Sequence, residues 1–138
     1  MSRELGKKLH YAQIALAIIG LLSSLYLSYS AAFNVQVACP TTGVINCANV
    51  LSSQYAKIFG VPNGYLGVLF FIAVLGLIYL KKQEPLALLN AVGAGFVAYF
   101  LYAEYLIGSI CIYCTLVHIC TICLLAISVY ELRGATGT

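Results

Sequence analysis

Long uncharged apolar stretches alternate along this chain with short charged breaks. Leu9–Ala56 (apart from an uncharged His10), Ile58–Leu80, Pro85–Ala103 and Tyr105–Tyr130 carry no Lys, Arg, Asp or Glu. A membrane-spanning helix needs about 20 apolar residues. The pattern therefore predicts an all-α membrane protein, one domain over residues 1–138. It is a four-transmembrane-helix bundle with spans at about 9–33, 63–80, 85–106 and 111–130. A polar loop, 34–62, joins the first two spans and is too long for a simple turn.

Local signals refine these boundaries. Arg3, Lys7 and Lys8 precede the first run and Ser30-Ala31-Ala32 is small, as in a signal peptide. A signal's apolar region is only about 7–15 residues, however, so the run reads as an uncleaved span. Within the loop, Leu51, Tyr55, Ile58 and Phe59 recur at helical spacing, which predicts a short interfacial helix over Ala48–Phe59. Gly60-Val61-Pro62-Asn63 ends it, and Pro62 can open the second span. That span stops at Lys81-Lys82, and Gln83-Glu84-Pro85 turns the chain into the third. Gly93, Gly95 and Ala98 are small residues that permit close helix contact. The link Ile107–Ile110 is very short.

Composition agrees. Of 138 residues, 62% are hydrophobic and 8% charged, which excludes an ordinary soluble globular domain. The net charge of +3 is scattered, giving no basic patch for nucleic acid. Charge also predicts orientation. Arg3, Lys7, Lys8, Lys81, Lys82 and Arg133 fall on one side of the predicted bundle and Lys57 on the other. Under the positive-inside rule both termini are cytoplasmic and loop 34–62 faces outward. Cys39, Cys47, Cys111 and Cys114 then share one extracytoplasmic surface, where disulfides persist.

The chemistry centres on Cys111-Ile112-Tyr113-Cys114. Two cysteines at i and i+3 lie on one helix face, close enough to bridge. Exposed N–H groups and the helix dipole at an N-terminus stabilise a thiolate, the nucleophile of disulfide exchange. A structural staple explains the spacing less well, because a bridge within one turn closes almost no chain entropy. Cys39 and Cys47 enclose a turn-rich Pro40–Asn46 and read either as a loop-fixing disulfide or as a second redox pair. Attack of a thiolate on a disulfide would pass two electrons between the pairs. Cys47 could rest paired with Cys39 or with Cys111.

Other candidates have plainer readings. Cys120 and Cys123 form a second C-x-x-C, roughly 13 and 18 Å below Cys111 along a helix, and read as packing residues near mid-bilayer. The same separation argues against a four-cysteine zinc site, and no metal is expected. His118 lies one turn below Cys114 and is either a packing residue or a donor toward a carbonyl beside Cys114. Glu104 is the only acid on the outer side; an ionisable residue at such depth is often functional, but so near the interface it reads rather as a snorkelling side chain. Asn63 reads as a helix cap or as an amide donor into the bundle.

Together these residues resemble the vitamin K epoxide reductase family. The features are four spans, a loop pair enclosing seven residues, and C-x-x-C opening the fourth span. Cys47-Ala48-Asn49-Val50-Leu51-Ser52-Ser53 resembles the family's cysteine followed six residues on by Ser or Thr. Phe59-Gly60-Val61-Pro62-Asn63-Gly64-Tyr65-Leu66-Gly67 resembles its segment leading into the second span.

The resemblance implies a membrane thiol–quinone oxidoreductase that supports disulfide formation. An extracytoplasmic thioredoxin-like partner attacks the loop disulfide at Cys39. Cys47 attacks Cys111, and Cys114 is left as the thiolate facing a quinone of the ubiquinone, menaquinone or vitamin K type. Asn63 and His118 would bind its two carbonyls, His118 standing where vertebrate enzymes have Tyr, and Ser53 would support the site. The resemblance also implies a prokaryotic-type plasma-membrane protein whose partner is a separate chain. The rival readings are reduction of vitamin K quinone or its epoxide by the same cysteines, and a non-enzymatic disulfide-stapled scaffold. A transporter would need paired charges, repeats or broken helices, which the spans lack.

Overall fold

A computed structural model describes residues 2–33, 35, 38, 39, 43, 45–51 and 53–135. The turn Pro40-Thr41-Thr42 that the cysteines were expected to bracket lies outside the described residues. Four long helices dominate: α1 (Ser2–Phe33), α3 (Asn63–Tyr79), α4 (Gln83–Ile107) and α5 (Ile112–Ala135), with a short α2 (Cys47–Leu51) between the first two. Three of them, α1, α4 and α5, are long and apolar enough to cross a membrane, whereas α3 has 17 residues. The long helices form a ring in which α1 packs on α3 and α5, and α4 packs on α5 and more lightly on α3.

The helix ends follow from local chemistry. Pro62 caps α3 from outside, where its missing N–H costs nothing. At the other end Lys81 takes φ +57°, and the Lys81 and Lys82 N–H groups donate to the carbonyls of Ile78 and Leu77. These two bonds make a Schellman motif that satisfies the last carbonyls of α3. Gly108, at φ +79°, ends α4 in the left-handed conformation that glycine adopts without strain.

Ala17, Phe71, Val74, Ile78, Leu86, Cys120 and Leu124 form the main apolar core. Cys120 is thus a packing residue, as its depth predicts. Close approach of the helices rests on particular small residues. A Cβ on Gly64 would come within 2.9 Å of the Ser28 backbone nitrogen, and one on Gly93 within 2.7 Å of the Phe70 ring. Gly95 has nothing within 4 Å of its Cβ position and Ala98 is exposed, so of the three small residues in α4 only Gly93 makes the expected contact. Leu22, Leu69, Ile72, Leu88, Leu101 and Ile119 are exposed on the outer surface, an apolar exterior suited to lipid.

The loop departs from the expected interfacial helix over Ala48–Phe59. Helix α2 stops at Leu51, a single 3-10 turn covers Gln54–Ala56, and Lys57–Ile58 pairs antiparallel with Val61–Pro62. Two features stop the helix. Ser53 is extended (φ −75°, ψ 164°), and its hydroxyl donates to the Val50 carbonyl at 2.7 Å. Phe59 and Gly60 then both take positive φ, the geometry of a two-residue hairpin turn. The Phe59 side chain is fully exposed at the tip and belongs to no apolar helix face.

Candidate functional site

The link between α4 and α5 folds Cys111 back over the end of α4. Cys111 stands just before α5 in the N-cap position. Its carbonyl accepts the Thr115 N–H at 2.9 Å, and its sulfur accepts the Cys114 N–H at 3.5 Å. The sulfur therefore occupies the place that a Ser or Asp oxygen takes in an ordinary cap. The Cys111 N–H donates to the Glu104 carboxylate at 3.3 Å.

The loop is stitched to this same point. Ile45 makes a parallel β-bridge with Ile110, and the Asn46 N–H donates to the Ile110 carbonyl at 3.0 Å. Asn49 Nδ2 donates to the Ser109 hydroxyl at 2.7 Å. Farther along, the Ala38 N–H donates to the Tyr26 hydroxyl at 2.9 Å, and the Tyr113 hydroxyl donates to the Ala38 carbonyl. The two tyrosine rings meet edge to face with centroids 5.1 Å apart. Helices α1 and α5 thereby hold the backbone immediately before Cys39.

Cys39 and Cys47 are joined in a disulfide, while Cys111, Cys114, Cys120 and Cys123 are thiols. Cys47, Val50 and Cys111 form a second buried cluster, against which Cys39, Leu51, Tyr113 and Cys114 pack. Cys39, Cys47, Cys111 and Cys114 are therefore gathered at one end of the bundle. Cys120 and Cys123 lie apart from them. Among the described residues, no group of three His, Cys, Asp or Glu side chains could hold a metal ion.

Beneath the cysteines lies a cavity of about 940 Å³, walled by the four long helices and the loop. Cys114, His118, Asn63 and Ser53 line it; Cys111, Cys47 and Cys39 do not. Both cysteine pairs thus meet in one cluster, of which Cys114 alone lines the cavity. Phe100 stacks on the His118 ring, the planes 9° apart, and fixes the imidazole in the wall. Asn63 Nδ2 donates to the Tyr55 carbonyl at 2.8 Å, and its Oδ1 has no hydrogen-bond partner among the described residues. Asn63 is therefore not the cap, a place that Pro62 takes; its amide ties the start of α3 to the loop. The Ser53 hydroxyl is committed to Val50, so its direct work is to end α2.

Glu104 differs most from its sequence reading. Instead of snorkelling outward it is buried, 7% exposed, in the cavity wall. Its Oε1 lies 3.7 Å from His118 Nδ1. The sequence signal was present, since Glu104 is the only acid near that end. Tyr26, Tyr113, Asn49 and Ser109 carry no such signal, because polar and aromatic residues at span ends are ordinary in membrane proteins.

Set beside known proteins, the chain matches the vitamin K epoxide reductase family model over residues 11–129. It belongs to that family, whose members are membrane oxidoreductases of the thiol–quinone type.

Proposed function

We propose that this family member passes electrons from an extracytoplasmic thioredoxin-like protein through two cysteine pairs to a membrane quinone. The partner's dithiol attacks Cys39 and is oxidised as the loop disulfide opens. Cys47 then attacks Cys111 in a Cys111–Cys114 disulfide, releasing Cys114 as the thiolate. Cys39 resolves the Cys47–Cys111 bond, restoring the loop disulfide and leaving Cys111 and Cys114 reduced. A pattern of one disulfide at Cys39–Cys47 with thiols at Cys111 and Cys114 corresponds to this electron-loaded state.

The observation that carries this reading is the meeting of both cysteine pairs in one cluster at the edge of the cavity. Cys111 is fully buried in one cluster with Cys47; Cys39 and Cys114 pack against that cluster, and Cys114 alone of the four lines the cavity. The cavity suits a quinone ring, being mainly apolar with a few polar groups at fixed points. His118 and Asn63 are the donors assigned to its carbonyls, and Ser53 supports the wall. In this reading α3 is the second of four spans, since 17 residues reach the short end of the spanning range. Both termini face the cytoplasm, and the cysteine end faces outward, where the thioredoxin-like partner waits.

The test is quinone reduction by purified protein supplied with a reduced thioredoxin-like protein. Wild type should turn over, and Cys114→Ala should not. Cys39→Ala should fail with the protein partner yet work with a small dithiol. Turnover of vitamin K epoxide but no quinone would move the substrate assignment. Outer cysteines that resist reduction altogether would favour a stapled scaffold.

A further inference from the structure

Quinone reduction needs protons as well as electrons, and the cysteine relay alone does not say how they cross an apolar cavity. Ionisable side chains within spans are costly and often mark proton paths. Glu104 and His118 are such a pair. Both are buried, both line the cavity with Cys114, and Glu104 Oε1 faces His118 Nδ1 at 3.7 Å. That is longer than a hydrogen bond, and neither atom has another hydrogen-bond partner among the described residues. The other carboxylate oxygen, Oε2, takes the Cys111 N–H. One acid thus accepts from the backbone of the redox cysteine with one oxygen and faces the cavity imidazole with the other.

We propose that Glu104 is the proton carrier between the Cys111/Cys114 pair and the quinone, acting through His118; this rests on the relay reading above. The step balances. The Cys111 and Cys114 sulfurs give two electrons as their S–S bond forms, and their two thiol protons are released. The quinone takes two electrons and two protons and becomes the hydroquinone. Glu104 hands its carboxylic proton to His118 Nδ1 as the Nε2–H of the same ring passes to the near quinone oxygen. The Cys111 thiol proton restores the acid. The second proton comes from Cys114, which borders the cavity directly and is reprotonated, after its release as a thiolate, by the proton of the attacking Cys47 thiol.

The stacked Phe100 ring holds the imidazole plane, so the transfer needs only a small approach of the carboxyl. Glu4, Glu84 and Glu131 sit at the opposite ends of their helices and cannot substitute.

The experiment uses full-length protein in lipid nanodiscs, loaded with electrons by a small dithiol and mixed with a soluble short-chain quinone. Redox-triggered infrared difference spectra and the rate in H2O and D2O are read together. Wild type should show a carboxylic-acid band that changes on oxidation. Glu104→Gln keeps an acceptor for the Cys111 N–H but carries no proton. It should lose that band and slow quinone reduction about a hundredfold, the scale of one general acid. Its solvent isotope effect should rise, while dithiol exchange at Cys39–Cys47 stays at the wild-type rate and shows that the fold is intact. Glu104→Asp should keep a shifted band and an intermediate rate.

The proposal is overturned if wild type shows no carboxylic change on oxidation, or if Glu104→Gln reduces quinone at the wild-type rate. A slowed variant with an unchanged isotope effect also overturns it, leaving Glu104 as a positioning residue for Cys111. A wild type that accepts electrons but reduces no quinone brings down the relay reading itself, and the proton assignment with it.

Discussion

Ile45 and Ile110 pair in a parallel bridge, and each lies within two residues of a cysteine, Cys47 on one side and Cys111 on the other. A loop that would otherwise be free is thereby fixed in register against the start of α5. The burial of Cys47 and Cys111 in one cluster follows from that register. In the proposed relay, transfer between the pairs would depend on these backbone contacts as well as on the cysteine spacings.

The tyrosine clamp on Ala38 is the other restraint. Tyr113→Phe keeps the ring contact with Tyr26 but removes the bond to the Ala38 carbonyl. One such bond contributes about 1 kcal/mol, which is about fivefold in a rate. Partner-driven turnover should fall by that factor, and rapid-quench thiol trapping should place the delay at the loop steps. Quinone reduction by protein already loaded with electrons should be unchanged.

Packing of α1 on α3 gives a sharper contrast. An added Cβ at Gly64 meets the Ser28 backbone, which cannot rotate away, whereas one at Gly67 meets the Ser24 hydroxyl at 2.5 Å, which can. Gly64→Ala should destabilise by about 1–3 kcal/mol, the usual cost of overpacking, and Gly67→Ala by clearly less. Reversible unfolding in mixed micelles measures both.

Far from the cysteines, Gln13 and Asn90 both donate to the Ser128 hydroxyl, at 3.4 and 2.8 Å, joining α1, α4 and α5. Ser128→Ala would strand two buried amides. Interhelical bonds of this kind contribute about 0.6 kcal/mol on average and up to about 1.7. Stability in micelles should fall by the upper part of that range while quinone reduction by loaded protein is preserved.

How far the sequence could be read follows the same physics. Charges end spans, so α3, α4 and α5 begin or stop within a few residues of their expected limits. The C-x-x-C at a helix start was equally legible, since capping is local. The loop was not. Leu51, Tyr55, Ile58 and Phe59 have helical spacing, but Phe59 and Gly60 turn left-handed and throw the phenyl ring into the open. Glu104 was misjudged for a tertiary reason. Its depth along α4 suggests escape to the interface, but the link to α5 brings Cys111 over it and closes that route. Gly95 and Ala98 show the converse, small residues on a helix face that meets no neighbour.

In the proposed relay, electrons cross from the loop pair to the helix pair between Cys47 and Cys111. Replacing Cys39 and Cys114 together by Ala removes both resolving thiols and should trap that crossing. Oxidised protein, digested and mapped by mass spectrometry under non-reducing conditions, should then contain a Cys47–Cys111 disulfide. Cys47 recovered as a free thiol, or joined instead to Cys120, Cys123 or a second chain, would contradict the relay.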